Sequence, residues 1–405
     1  PVLKWPTPFS PYFPYRMEAI PSVPPRLLLN GNQAFAMGAL AGGCRFVAGY
    51  PMTPGSPVLE WMAAHAAEYG VVAAQVEDEI AAACAVVGAA QAGVRALTPT
   101  SGGGFCLVVE ALGLAGMTEV PIVIYEAQRP GPSTGLATRT EQGDLLFALH
   151  ASHGEFPRVL LAPGTVEQSF EAGWRAFNLA ERCQSPAIVL SDHFLANALR
   201  TVEALNFDAV TIDRGELLSD ADLDTLPGEY RRHAFTASGV SPRAIPGHPR
   251  AVYASSSDEH DEYGHILEDA DNRSRMMDKR MHKSEAVRPE MRPPTLYGPS
   301  EAEVTFVGWG STYGPLREAV DRLNAQGVRA QMLHLCDVWP FPTDPVAEML
   351  AAAQRVVAVE NNYSGQLAEL VRRTTGYHVT DRILKYDGRP LSPEYILRQF
   401  ESVRL

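Results

Sequence analysis

Four short segments in the first third of the chain hold the residues best suited to chemistry. They are Gly49-Tyr50-Pro51-Met52-Thr53-Pro54, Glu77-Asp78-Glu79-Ile80-Ala81-Ala82, Thr100-Ser101-Gly102-Gly103-Gly104 and Arg129-Pro130-Gly131-Pro132-Ser133-Thr134-Gly135. Thr53 lies between two prolines that restrict its backbone and hold its hydroxyl in a fixed direction; an ordinary Pro-rich turn would look the same. Glu79 opens a helix built almost wholly of Ala, Val and Gly. An acid at a helix start offsets the helix dipole by about 0.3–1 kcal/mol, and three acids in a row fit that role. Yet a helix so apolar should be buried on every side, so its carboxylate must be satisfied by something. The Ser-Gly-Gly-Gly turn brings backbone N–H groups to a helix start, where a ligand could approach closely. It lacks the lysine of a Walker loop, which argues against a mononucleotide; tight strand–helix packing is the structural alternative. Arg129 could clamp a carboxylate bidentately or form a structural salt bridge.

The elements that position these residues alternate strand and helix. Strands are predicted over 46–49, 71–76, 95–99, 120–127, 159–162 and 187–191, with helices over 31–42, 58–69, 80–93, from the Ser-Gly-Gly-Gly turn to 115, and over 166–181 between them. Residues 120–127 have the near-continuous apolar run of a central parallel strand. The class is α/β with a mostly parallel, doubly wound sheet. Each of the four segments lies where a strand meets a turn or helix, so they gather at one sheet edge, the usual ligand crevice.

Beyond residue 200 the hydrophobic periodicity weakens. Asp258-Glu259-His260-Asp261-Glu262 reads as a solvated acidic loop, and Arg273, Arg275, Lys279, Arg280 and Lys283 load the next helix with positive charge. His260 and His265 match no zinc-helix spacing. Alternation resumes at Glu303, with strands at 304–308, 330–335 and 356–360 and helices at 315–326 and 346–354. Gly308, Gly310 and Gly314 resemble a dinucleotide loop, but the spacing is off and no acid follows at the ribose position. The expected organisation is a Pro-rich arm or linker over 1–26, a first α/β domain over 27–200, a connecting segment over 201–300 and a smaller α/β domain over 301–405.

Composition narrows the class. A formal charge of -13 over 405 residues argues against a nucleic-acid partner. No window reaches the ~18–20 apolar residues of a membrane span. Cys44, Cys84, Cys106, Cys183 and Cys336 are scattered without a C-x-x-C pair and read as small buried hydrophobes, with neither a zinc site nor an iron–sulfur cluster of their own. The chain begins with Pro1, as a processed product or part of a longer one would. Eight prolines in residues 1–25 suggest an extended arm and not a signal peptide.

Taken in order, the four segments resemble the alpha subunit of 2-oxoacid:ferredoxin oxidoreductases, most of all the 2-oxoglutarate enzymes. The same resemblance extends through Glu141-Gln142-Gly143-Asp144-Leu145, His153-Gly154-Glu155-Phe156-Pro157, Asp258-Glu259-His260-Asp261-Glu262, Asp278-Lys279-Arg280 and Val359-Glu360-Asn361-Asn362-Tyr363-Ser364-Gly365-Gln366. It runs from about Leu28 to the C-terminus and leaves out residues 1–26. Pro130 departs from it, standing where relatives usually have glycine.

The resemblance implies a thiamine diphosphate pyrimidine-binding domain followed by a transketolase C-terminal-like domain. Glu79 matches the glutamate that bonds the aminopyrimidine ring and promotes formation of the ylid. Thr53 and Arg129 match positions holding the substrate carboxylate, with Pro51, Thr100, Ser101 and Gly102 as further cofactor contacts. Ser133, Thr134 or Arg139 is expected to serve the distal carboxylate of a dicarboxylic substrate. The reaction implied is decarboxylation of a 2-oxo acid, passage of two electrons singly to an iron–sulfur cluster, and acyl transfer to coenzyme A. There is no Gly-Asp-Gly segment followed by Asn, and there are no cluster cysteines. Mg2+ with the diphosphate, and a 4Fe-4S cluster, are therefore expected on a beta subunit. Ferredoxin is the expected electron acceptor; a gamma subunit or domain and a dimer of heteromers complete the expected assembly, which is a cytoplasmic one. A general 2-oxoacid or pyruvate enzyme, and a noncatalytic scaffold subunit of the same fold, are the alternatives.

Overall fold

The computed structural model describes residues 24–403. The Pro-rich arm expected over 1–26 therefore lies, save for its last three residues, outside the described residues.

The first sheet has seven strands in the order Asp337–Trp339, Val159–Leu161, Ala187–Asp192, Val123–Gln128, Ala96–Thr100, Phe46–Gly49 and Val72–Gln75. All neighbours pair in parallel except Asp337–Trp339, which runs antiparallel to Val159–Leu161. The three central strands Ala187–Asp192, Val123–Gln128 and Ala96–Thr100 are buried at every residue, as a parallel sheet covered on both faces requires. Helices Gly31–Ala41 and Val166–Cys183 cover one face. They pack closely because Gly38 and Gly173 lie at the crossing: a Cβ on Gly173 would stand 2.5 Å from the Phe35 carbonyl oxygen. Helices Glu79–Gln91, Gly102–Met117 and Leu145–His150 cover the other face.

The second sheet has five strands, in the order Asp381–Leu384, Val356–Glu360, Val304–Trp309, Ala330–Leu335 and Thr295–Tyr297, with only the last antiparallel. Its chain segment also supplies Asp337–Trp339 to the edge of the first sheet, a crossover that local patterning does not reveal. Arg175 secures that edge through a bidentate pair with Asp337 at 2.8 and 2.6 Å.

Between the sheets' segments, helix Ala270–Val287 turns Lys279, Arg280 and Lys283 inward and leaves Arg273 and Arg275 exposed. The fully buried Glu119 pairs with Lys279 at 2.6 Å, with Lys283, and with His233 at 3.0 Å. Burial alone would raise the Glu119 carboxyl, but the two ammonium groups hold it well below its ordinary range. His260 is fully buried and its ring lies 4.1 Å from that of His233. The acidic loop expected to be solvated is thus partly interior. Its core histidine is tied down by Nδ1 at 2.9 Å from the Asp258 carbonyl oxygen, and by Asn272, which donates to the His260 carbonyl at 3.0 Å. Glu119, His233 and His260 cluster closely enough to suggest a metal, but two lysines already neutralise the carboxylate.

Three further expectations are corrected. Helix Glu79–Gln91 is not buried on every side: Ile80, Cys84 and Gly88 form an exposed stripe one helical turn apart. The helix is an outer layer, and none of the described residues covers that stripe. Cys84 and Cys106 are exposed, while Cys44 and Cys183 are buried. The predicted helix 58–69 breaks at His65 into Ser56–Ala64 and Ala66–Tyr69. Among the described residues no helix is long and apolar enough to cross a membrane.

Candidate functional site

The C-terminal ends of Phe46–Gly49, Val72–Gln75, Ala96–Thr100 and Val123–Gln128 release the four chemical segments on one edge of the first sheet. Beside them lies a cavity of about 450 Å³, lined by Met52, Gly102, Gly103, Cys106, Arg129, Asp144, Phe147 and the loop 131–134.

Glu79 is the first residue of its helix, but Asp78 does the capping, accepting the Ala81 N–H at 2.8 Å. The Glu79 carboxylate is left free for other use. It is 3% exposed, and its Oε1 is buried without a hydrogen-bond partner. Burying a polar atom without a partner is costly, so this oxygen points to a ligand. Gly104 makes room for it: a Cβ there would come 2.5 Å from Oε1 and closer still to the Thr100 hydroxyl. Thr100 and Ser101 are fully buried next to this carboxylate, and the Ser101 hydroxyl also lacks a partner.

The Tyr-Pro turn is anchored from below. Asn32 donates to the Pro54 carbonyl at 2.9 Å and accepts from Tyr125 at 2.8 Å. Thr53 and Pro51 are exposed on the turn. Arg129 is 9% exposed and donates from Nη1 to the Thr53 carbonyl at 2.8 Å; its Nε has no partner. A guanidinium fixed at one nitrogen and open at another is ready to receive an anion. Gly102, Ser133 and Thr134 join Arg129 in the cavity wall. Ser133 adopts the left-handed φ of 57°, which turns the loop over the cavity. Arg139 is not in the wall: it is exposed and packs by Gly388, whose Cβ would lie 3.3 Å from that of Arg139. The sequence-chosen residues therefore fall into a lining group (Gly102, Arg129, Ser133, Thr134), a group around the buried carboxylate (Glu79, Thr100, Ser101) and outlying Pro51, Thr53 and Arg139.

Sequence reasoning passed over Glu126, Asp144 and Glu141. Glu126 is fully buried in the central strand, and burial, then Asp144, push its carboxyl well above the usual range. Burial raises Asp144 as well, and burial followed by Asp144 raises Glu141 to about 7. The available signal was an acid inside the apolar run 120–127. The segment carrying Glu141 and Asp144 is clamped by the C-terminal domain. Gln142 donates its backbone N–H to the Asn361 carbonyl at 2.7 Å and its side-chain amide to the Trp309 carbonyl at 2.9 Å. Asn362 donates to the Gln142 carbonyl at 3.1 Å, and Gln366 to the Gly143 carbonyl at 2.6 Å. Two segments quoted separately from the sequence, 141–145 and 359–366, are thus halves of one junction.

Residues 37–279 match the protein family described as pyruvate flavodoxin/ferredoxin oxidoreductase, thiamine diphosphate-binding, and residues 302–396 match pyruvate:ferredoxin oxidoreductase core domain II. The 2-oxoacid:ferredoxin oxidoreductase subunit alpha of Saccharolobus solfataricus is 37% identical over 96% of this chain and 63% of its own length. The 2-oxoglutarate synthase subunit KorA of Methanothermobacter marburgensis is 32% identical over 93% of this chain and 98% of its own. Among solved structures, 2-oxoglutarate:ferredoxin oxidoreductase from Magnetococcus marinus, with 2-oxoglutarate, coenzyme A and succinyl-CoA bound, superposes with a TM-score of 0.88. It is 34% identical, with 94% of this chain and 65% of that one covered. The chain spans about three-fifths of the length of the first curated relatives it matches.

Proposed function

Because the chain belongs to the 2-oxoacid:ferredoxin oxidoreductase alpha-subunit family, we propose that it forms the pyrimidine-side half of a thiamine diphosphate site in a 2-oxoglutarate:ferredoxin oxidoreductase. The reaction is the reversible, coenzyme A-dependent oxidative decarboxylation of 2-oxoglutarate to succinyl-CoA and CO2, with ferredoxin reduced. The observation that carries this reading is the buried, partnerless Oε1 of Glu79 beside a cavity that also holds a partly free arginine.

The residues fit the cofactor. Glu79 would accept a hydrogen bond from its aminopyrimidine ring, and Gly104 keeps that approach open. When bound, thiamine diphosphate supplies the carbon nucleophile that attacks the 2-oxo group. Arg129 holds the substrate carboxylate beside the reacting carbon, with Thr53 fixing the guanidinium through its carbonyl. Ser133 and Thr134 offer hydroxyls to the remainder of the substrate. The diphosphate with its Mg2+, and the 4Fe-4S cluster, belong to a beta subunit in this reading, since this chain has neither a Gly-Asp-Gly segment nor grouped cysteines.

The choice of 2-oxoglutarate is supported by the KorA relatives and by the ligands of the Magnetococcus enzyme. A broader 2-oxoacid specificity is the second reading. It is favoured by the general 2-oxoacid names of the 37–44% identical relatives, and by the position of Arg139 outside the cavity wall. Assembly with the beta partner, thiamine diphosphate, Mg2+ and coenzyme A, followed by viologen reduction across a panel of 2-oxo acids, decides between them. If Arg139 reaches the distal carboxylate in the assembled enzyme, Arg139→Met raises KM for 2-oxoglutarate far more than for pyruvate. Equal effects would remove Arg139 from substrate selection and favour the broader enzyme.

A further inference from the structure

Two carboxyl groups, that of Asp144 in the cavity wall and that of Glu126 in the buried strand Val123–Gln128, have no part in the proposed reaction. Glu126 is fully buried, and neither of its oxygens meets a donor. Asp144 reaches the cavity wall from the clamped segment, and its Oδ2 also lacks a donor; a Cβ on Gly102 would stand 2.8 Å from that oxygen. The two carboxyl groups adjoin one another. Two ionised carboxylates are both acceptors, so only a proton can bond one to the other, and buried like charges in contact do not both stay ionised. The other titratable groups facing the pair are Cys106, from helix Gly102–Met117, and Glu141, from the clamped segment. Arg129 lies in the same wall, near Gly103, with a pairing already made to Thr53. Nothing among these donates to Glu126, so a structural salt bridge does not explain why the acid is in the strand.

We infer that Glu126 and Asp144 form one proton-sharing dyad, and that Asp144, its member at the cavity wall, accepts the proton of the thiol consumed in acyl transfer. The inference rests on the coenzyme A-dependent reading above. In this step the S–H bond breaks heterolytically and its proton passes to the Asp144 carboxylate. The sulfur electron pair forms the bond to the acyl carbon, and the bond from that carbon to its carrier breaks with its electron pair returning to the carrier. No redox change occurs in the step, and the dyad resets by losing one proton to solvent. Glu126 acts as a positioning residue: its retained proton orients the Asp144 carboxylate, while burial keeps that carboxylate basic enough to take the proton of the thiol.

Two measurements test this. The first needs no cofactor or activity: the infrared difference spectrum of wild type minus Glu126→Gln at neutral pH should show a protonated-carboxyl C=O band that shifts in D2O. Its absence would overturn the dyad. The second uses the complex with its partner subunit. Asp144→Asn should slow coenzyme A-dependent turnover about 10²-fold or more, a much larger loss than it causes in single-turnover decarboxylation without coenzyme A. The lost rate should return as pH rises and the thiol ionises unaided. Equal loss in both reactions would make Asp144 structural and defeat the proton transfer. A wild-type complex inactive with every 2-oxo acid would instead defeat the functional reading and the thiol step together, with the infrared result deciding the dyad by itself.

Discussion

Replacing Gly104 with alanine separates the stability of the fold from the geometry of the site. In helix Gly102–Met117 alanine is intrinsically better than glycine by about 1 kcal/mol. Against this, the new Cβ would lie 2.5 Å from Glu79 Oε1, 2.7 Å from its Cγ, and against the Thr100 hydroxyl. Ordinary contact requires about 3.5–4.0 Å, so the carboxylate must retreat by about 1 Å. Overpacking of this kind costs about 1–3 kcal/mol, so the net loss of stability should be about 0–2 kcal/mol. A 1 Å misplacement at a reacting site costs about 10²-fold in rate. Urea denaturation of the chain should therefore show a small change, whereas viologen reduction by the assembled complex should fall about 10²-fold. Gly88→Ala is the control for helix propensity, because nothing lies within 4 Å of its Cβ. A Gly104→Ala complex with wild-type activity would refute the tight fit around Glu79.

Two other outcomes follow from the buried charges. Glu119→Gln leaves the buried Lys279 and Lys283 without their counter-charge and should destabilise the chain by about 3–5 kcal/mol in urea; a loss below about 1 kcal/mol would show that the cluster is solvated. Glu141 binds its proton more tightly when folded, with its carboxyl raised from 4.5 to about 7. The folded state then holds more protons between those values, so its contribution to stability is greatest below about pH 4.5 and declines as pH rises through 7. Glu141→Gln should flatten that part of the urea midpoint profile, and an unchanged profile would contradict the shift.

The parallel sheet was legible because its strands are short apolar runs whose character survives without tertiary context. Phe46–Gly49, Ala330–Leu335 and Val356–Glu360 begin and end where the pattern places them. Local patterning cannot see pairings made across the chain. The strand Asp337–Trp339 joins a sheet formed some 150 residues earlier, and the Gln142 junction with Asn361 and Asn362 spans the two sheets. The stripe Ile80, Cys84, Gly88 misled for a related reason: an apolar helix face demands a cover, but the sequence does not say that the cover must come from this chain. His260 was hidden by its acidic neighbours, whose charge is carried outward and into pairs with Arg273 and Arg280. For the site, residue type and placement at strand ends singled out Glu79 and Arg129. Glu126 escaped because it sits within a strand and not at its end.

The most direct test is the distance from the Glu79 carboxylate to the aminopyrimidine ring of thiamine diphosphate in an experimental structure of the assembled complex. Hydrogen-bond contact, about 2.6–3.2 Å, is the result expected. A coenzyme held entirely by the partner subunit, with the Glu79 Oε1 still unpartnered, would contradict the account.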